Sequence, residues 1–147
     1  MSDSLVTTAL GTFPSILEET AFLFCDDSDE VLQFQEPPTG VAIAYDGPER
    51  GDLRLWAQSG FMRALAANML GLEEGDPAAA SRRVDALGEL LNIVLGHCLT
   101  ERFGESESMR MGLPRPLPFG DLAIDQDVGK WLLVEGEPVL LSWRMRT

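Results

Sequence analysis

Apolar and polar residues alternate along this chain with two different periods, and each change of period marks an element. "PSILEETAFLF" opens with Pro14 at a plausible first helical position, and Glu18 and Glu19 follow near that end, which predicts a helix. "QEPPTG" is a loop. "GVAIAYDG" and "GDLRLWAQ" then show partial period-two alternation around "DGPERG", a hairpin signature. In "SGFMRALAANMLGL", Phe61, Leu65, Met69 and Leu72 recur at helical spacing, with Ser59 as the candidate cap. "EEGDPAAAS" is a turn or an irregular start to the longest element, a helix from about Ala79 to Phe103. "SESMRMGL" suggests a strand, "PRPLPFGD" a loop because of its prolines, and "GKWLLVEGEPVLLSWRM" a second hairpin around "EGEP". The sum is an α+β fold, an antiparallel β-sheet packed against long α-helices, in one domain over residues 1–147. With no strand, glycine-rich loop and helix in succession, a doubly wound nucleotide fold fits poorly.

The long helix has an uneven surface. At roughly 100° per residue, Val84, Leu87, Leu90, Leu91, Val94, Leu95 and Cys98 fall on one broad face, the buried side. Asp85, Gly88, Glu89, Asn92 and Gly96 gather on another side within an arc of about 100°. Glu89 and Asn92 are neighbours at a spacing of three, and Asp85 stands one turn before Glu89. A carboxamide is no general base, but it can accept from and donate to one water and so fix its position. A glutamate beside it can pair with a cation and orient whatever docks. An E-x-x-N pair on a solvated helix is common by chance. Two glycines, each costing about 1 kcal/mol in a helix interior, argue for more. They permit either close approach by another molecule or tight packing of another helix or a sheet. His97 projects to the edge of the apolar face and is expected to be packed there, and Cys98 to be an inert core thiol.

Charge narrows the partners. The chain has 147 residues and a formal net charge of −13, with a single lysine, Lys130, among its 11 basic residues. No basic stripe could neutralise a phosphate backbone or seat the chain on an anionic membrane, so neither nucleic acid nor membrane is an expected partner. The two cysteines, Cys25 and Cys98, and the one histidine have no metal-ligand spacing, so no metal site is expected. No signal-peptide pattern, no membrane-spanning run and no demand for a disulfide make a reducing, cytoplasmic setting the expectation.

The stripe resembles a known pattern. "DALGELLN" matches the D/S-x-x-x-E-x-x-N signature of the CheC/CheX family of chemotaxis phosphatases, and Gly96, four residues after the asparagine, is similar to the family's glycine. Upstream, "VAIAYDGPERGDLRLWAQSGFMRALAANMLG" resembles the family's strand, glycine turn, strand and helix, so the likeness runs from about Gly40 to Gly104. A single copy of the motif is more like CheX than CheC.

The resemblance implies hydrolysis of the aspartyl phosphate on a CheY-like response regulator in bacterial two-component signalling. In that reading Glu89 pairs with the regulator's lysine and Asn92 aligns the attacking water. Asp85 has a supporting role, and Gly88 and Gly96 admit the partner. This chain would carry no cofactor, Mg²⁺ being held by the regulator. A homodimer through sheet edges is also implied. The alternative is a non-catalytic adaptor of the same fold that docks a regulator or another signalling protein. His97 and Cys98 depart from the family pattern, and "LEETAF" in the first helix lacks a second motif.

Overall fold

In a computed structural model, residues 4–27, 30–104 and 109–146 are described. The chain runs through α1 (Ser4–Ala21), β1 (Cys25–Asp27), β2 (Thr39–Asp46), β3 (Arg50–Ala57), α2 (Ser59–Leu70), α3 (Pro77–Ser81) and α4 (Arg83–Phe103). It continues through β4 (Arg110–Met111), β5 (Arg115–Pro116), α5 (Asp121–Val128), β6 (Lys130–Val134) and β7 (Glu137–Arg146). The strands form one antiparallel sheet in the order β1-β6-β7-β3-β2-β4, with β5 also on β2. Both predicted hairpins are present: Tyr45 faces Gly51 across the first, and Val134 faces Glu137 across the second. The edges, β1 on one side and β4 and β5 on the other, are two or three residues long, which blunts edge-to-edge pairing.

Period-two alternation sorts the sheet residues onto two faces. Val41, Ile43, Leu53, Leu55, Val139 and Leu141 join the main core, where α1, α2 and α4 cover the sheet. Ala42, Trp56, Trp131 and Leu140 point the other way, into a smaller cluster with Leu117 and Leu122. Helix α4 lies between α1 and α2 and over β2 and β3, which makes it the central beam of the helical layer.

Several boundaries differ from expectation, each for a physical reason. Helix α1 begins at Ser4, so Pro14 sits inside it and not in its first turn. An internal proline costs about 3 kcal/mol, and the burial of Ala9, Phe13, Ile16, Leu17 and Ala21 along one face offsets that cost. The long helix is interrupted at Arg82 (φ −100°, ψ 6°), leaving α3 as a separate turn capped by Asp76, whose side chain accepts from the Ala78 N–H at 2.8 Å. Gln58, not Ser59, occupies the cap position of α2, and its side chain makes no capping bond but accepts from the Gln35 N–H instead. That helix stops at Gly71 (φ 69°), a left-handed position glycine adopts without strain, so Leu72 lies beyond its end. Within "SESMRMGL" only Arg110–Met111 is strand, Glu105 to Ser108 lying outside the described residues. The proline-rich segment expected to be loop contributes Arg115–Pro116 to the sheet, and α5 follows it. Among the described residues no helix is long and apolar enough to cross a membrane.

Candidate functional site

Asp85 and Glu89 face outward, and Asn92 in part, on a helix whose broad apolar face is sunk in the core. Leu87, Leu90, Leu91, Val94, Leu95 and Cys98 are buried as the wheel requires, joined by Ala86 and Leu99. Val84 is 41% exposed and His97 is exposed, both against expectation. Burial depends on what covers each turn, which a helical projection leaves out.

Glu89 and Asp85 are exposed, and Asn92 is half-buried. Among the described residues no side-chain hydrogen bond or ion pair engages Glu89 or Asn92. Their donors and acceptors therefore remain available to another molecule. Arg82 lies in register with them, seven residues before Glu89. A groove of about 170 Å³ runs beside Glu89, lined by Met69 and Leu70 of α2 and by Arg82, Asp85, Ala86 and Glu89. The exposed Leu70 adds apolar surface on this flank.

The two motif glycines have different surroundings. Gly88 is buried, and a Cβ placed on it would come within 2.9 Å of the Pro114 ring. It serves a close approach within the chain, the packing alternative left open by the sequence, and is not open to a partner. Gly96 is half-buried, and a Cβ there would meet Met111 Sδ at 3.8 Å, an ordinary contact. Sequence reasoning missed the Met111–Pro114 strap as part of this site. Gly88 signalled that something comes close, but nothing local identified what.

Cys98 is fully buried, and burial, with the Glu101 charge adding, pushes its thiol up to about 12. It is an inert core thiol, as expected. Tyr45 is also raised, first by burial, even though it accepts a hydrogen bond from Trp143 Nε1 at 2.6 Å.

A second polar cluster, on the opposite face of the sheet, was not foreseen. Arg54 is buried between Asp52 (3.2 Å), Asp125 (2.9 Å) and Asp121. Asp125 also accepts from Trp56 Nε1 at 2.7 Å, Ser142 Oγ at 3.3 Å and Arg144 at 3.1 Å. Burial alone would lower the Arg54 pKa; its bonds to these carboxylates, Asp125 foremost, outweigh that and raise it. Every carboxylate there is engaged by a cation, so the cluster reads as a clasp holding α5 to the sheet.

Comparison with known proteins agrees with this architecture. Among curated proteins none matches the chain. Three solved structures resemble it throughout. CheX of Vibrio vulnificus has a TM-score of 0.72 at 14% identity, covering 97% of this chain and 96% of that one. CheX of Desulfovibrio desulfuricans gives 0.71 at 9% identity, covering 97% and 99%. A CheX–CheY–BeF3–Mg²⁺ complex from Borrelia burgdorferi gives 0.68 at 14% identity, covering 97% of each chain. At such identities these likenesses establish the fold. The sequence profile described as chemotaxis phosphatase CheX matches residues 39–134, a span from β2 to the end of β6 that includes the whole Glu89–Asn92 stripe. The chain belongs to the CheX family of chemotaxis phosphatases.

Proposed function

We propose that the Glu89–Asn92 face of α4 accelerates hydrolysis of the aspartyl phosphate on a CheY-like response regulator. The observation that carries this reading is the pairing of an exposed carboxylate with an unengaged carboxamide one turn along a rigid, core-anchored helix. The Borrelia burgdorferi relative was solved in complex with CheY, BeF3 and Mg²⁺, which supports a regulator as the partner.

The chemistry asks little of this chain beyond position. Water attacks phosphorus in line, the bond from phosphorus to the regulator's carboxylate oxygen breaks, and phosphate leaves with the carboxylate restored. Phosphoryl transfer of this kind depends mainly on alignment and electrostatics. Asn92 would hold the water through its carboxamide, which saves the orientational entropy of recruiting it from solvent. Glu89 would pair with the regulator's lysine and set the angle at which α4 enters. Asp85, exposed in the groove, would support that docking. Mg²⁺ would be held by the regulator in this reading, where it would offset charge on the phosphoryl oxygens.

The test is phosphate release from a phosphorylated regulator by wild type, Asn92→Ala and Glu89→Gln, with docking to the beryllofluoride-activated regulator measured in parallel. Loss of the bound water's alignment should lower kcat by about a hundredfold in Asn92→Ala while docking persists. Glu89→Gln should weaken docking as well as rate. Docking by wild type without any acceleration would overturn the phosphatase reading in favour of the adaptor.

A further inference from the structure

Gly88, Asn92 and Gly96 are spaced by four and so form one row along α4. The Met111–Pro114 strap lies beside that row and runs against the helix direction, with Pro114 at Gly88 and Met111 at Gly96. Gly112 and Leu113 therefore pass at the level of Asn92. The strap is tied down along its other side. The Gly112 N–H donates to Ala44 O at 2.8 Å and the Leu117 N–H to Gly40 O at 2.9 Å. Arg115 pairs with Ala42 in the sheet, and its guanidinium meets buried Asp52 at 3.0 Å. A segment held this firmly nevertheless leaves Leu113 86% exposed.

We propose that this strap is the second wall of the regulator-docking surface, and that Leu113 is an apolar anchor seating the regulator against Asn92. The inference rests on the function proposed above and deepens it. A single exposed leucine is ordinary on a protein surface. Leu113 differs in its place, between the Pro114 and Met111 contacts that bracket Asn92 and on the other side of the stripe from the groove that holds exposed Leu70. The argument for its occupant is electrostatic. A chain of net charge −13 gains nothing from long-range steering towards a phosphorylated site, so beyond the local Glu89 pair its affinity must come from apolar contact at the site itself.

The test uses the full chain with Leu113→Ser, the conservative Leu113→Met, and Val31→Ser as a control at an exposed apolar residue outside this surface. Affinity for the beryllofluoride-activated regulator, KM and kcat are measured for each, with urea midpoints to confirm folding. Leu113→Ser should weaken affinity and raise KM about tenfold, leave kcat within about twofold, and be rescued by Leu113→Met; Val31→Ser should match wild type. Unchanged affinity and KM in Leu113→Ser, with wild type docking and accelerating hydrolysis, would overturn this inference alone. A fall in kcat with KM unchanged would also overturn it, since the strap would then act on Asn92 and not on docking. If wild type neither docks nor accelerates, the function proposed above fails and this inference falls with it.

Discussion

Gly88 shows how a single hydrogen in place of a methyl group can be worth its conformational cost. Replacing it by alanine should gain about 1 kcal/mol in helix propensity. The added Cβ would sit 2.9 Å from the Pro114 ring, a rigid neighbour. Strap or helix must then move, and overpacking of this kind costs about 1–3 kcal/mol. Gly88→Ala should therefore be neutral to destabilising in urea unfolding, although the same change at an open helix position would stabilise. The cysteines give a second test. Cys98 is buried and Cys25 is half-exposed, so a thiol reagent at mildly alkaline pH should label Cys25 in the native chain and both residues only after unfolding. Because burial raises the Cys98 thiol from 9.0 to about 12, the folded chain keeps a proton that the unfolded chain releases above pH 9. Its contribution is complete below pH 9 and is lost as pH rises from 9 towards 12. Cys98→Val should accordingly lose less stability than wild type over that window.

At the scale of elements, the two hairpins and the helical face of α4 were legible because each expresses a local period. Helix α5 was not. Its eight residues, "DLAIDQDV", place only Leu122 and Asp125 in buried positions, and no apolar stripe announces it. What holds it is the contact of Asp121 and Asp125 with Arg54, a residue 67 and 71 positions away. Removing one partner from a buried ion pair strands the others, at a cost of about 3–5 kcal/mol. Asp125→Ala should thus lower the urea midpoint sharply while sparing the hairpins. Far-ultraviolet circular dichroism at intermediate denaturant should show a small helical loss before global unfolding. An unchanged midpoint would mean that the clasp contributes nothing net.

For the whole molecule, charge sets the terms of association. With 24 acidic against 11 basic residues, the protein would repel any partner surface of net negative charge at long range. Raising salt about tenfold from a dilute buffer shortens the Debye length to about 10 Å or less and screens that repulsion. Affinity for the activated regulator should hold steady or rise. A steep fall with salt would show that attraction between charges drives docking, contrary to the proposed surface around Leu70 and Leu113.

The sequence by itself determined the fold class, both hairpins, the buried face of α4 and the clustering of Glu89 and Asn92 in one polar stripe. Each is written in a periodicity of two or of about 3.6 that a short window contains. Tertiary structure alone decided where the helices begin and break, that Pro14 lies inside α1, and that Asp52 and Arg54 are buried and not solvated. It also decided that Gly88 receives Pro114, 26 positions further along the chain. These outcomes depend on which distant surface covers each residue. A local pattern can reveal that a position is apolar, small or charged; only the assembled layers choose its neighbour.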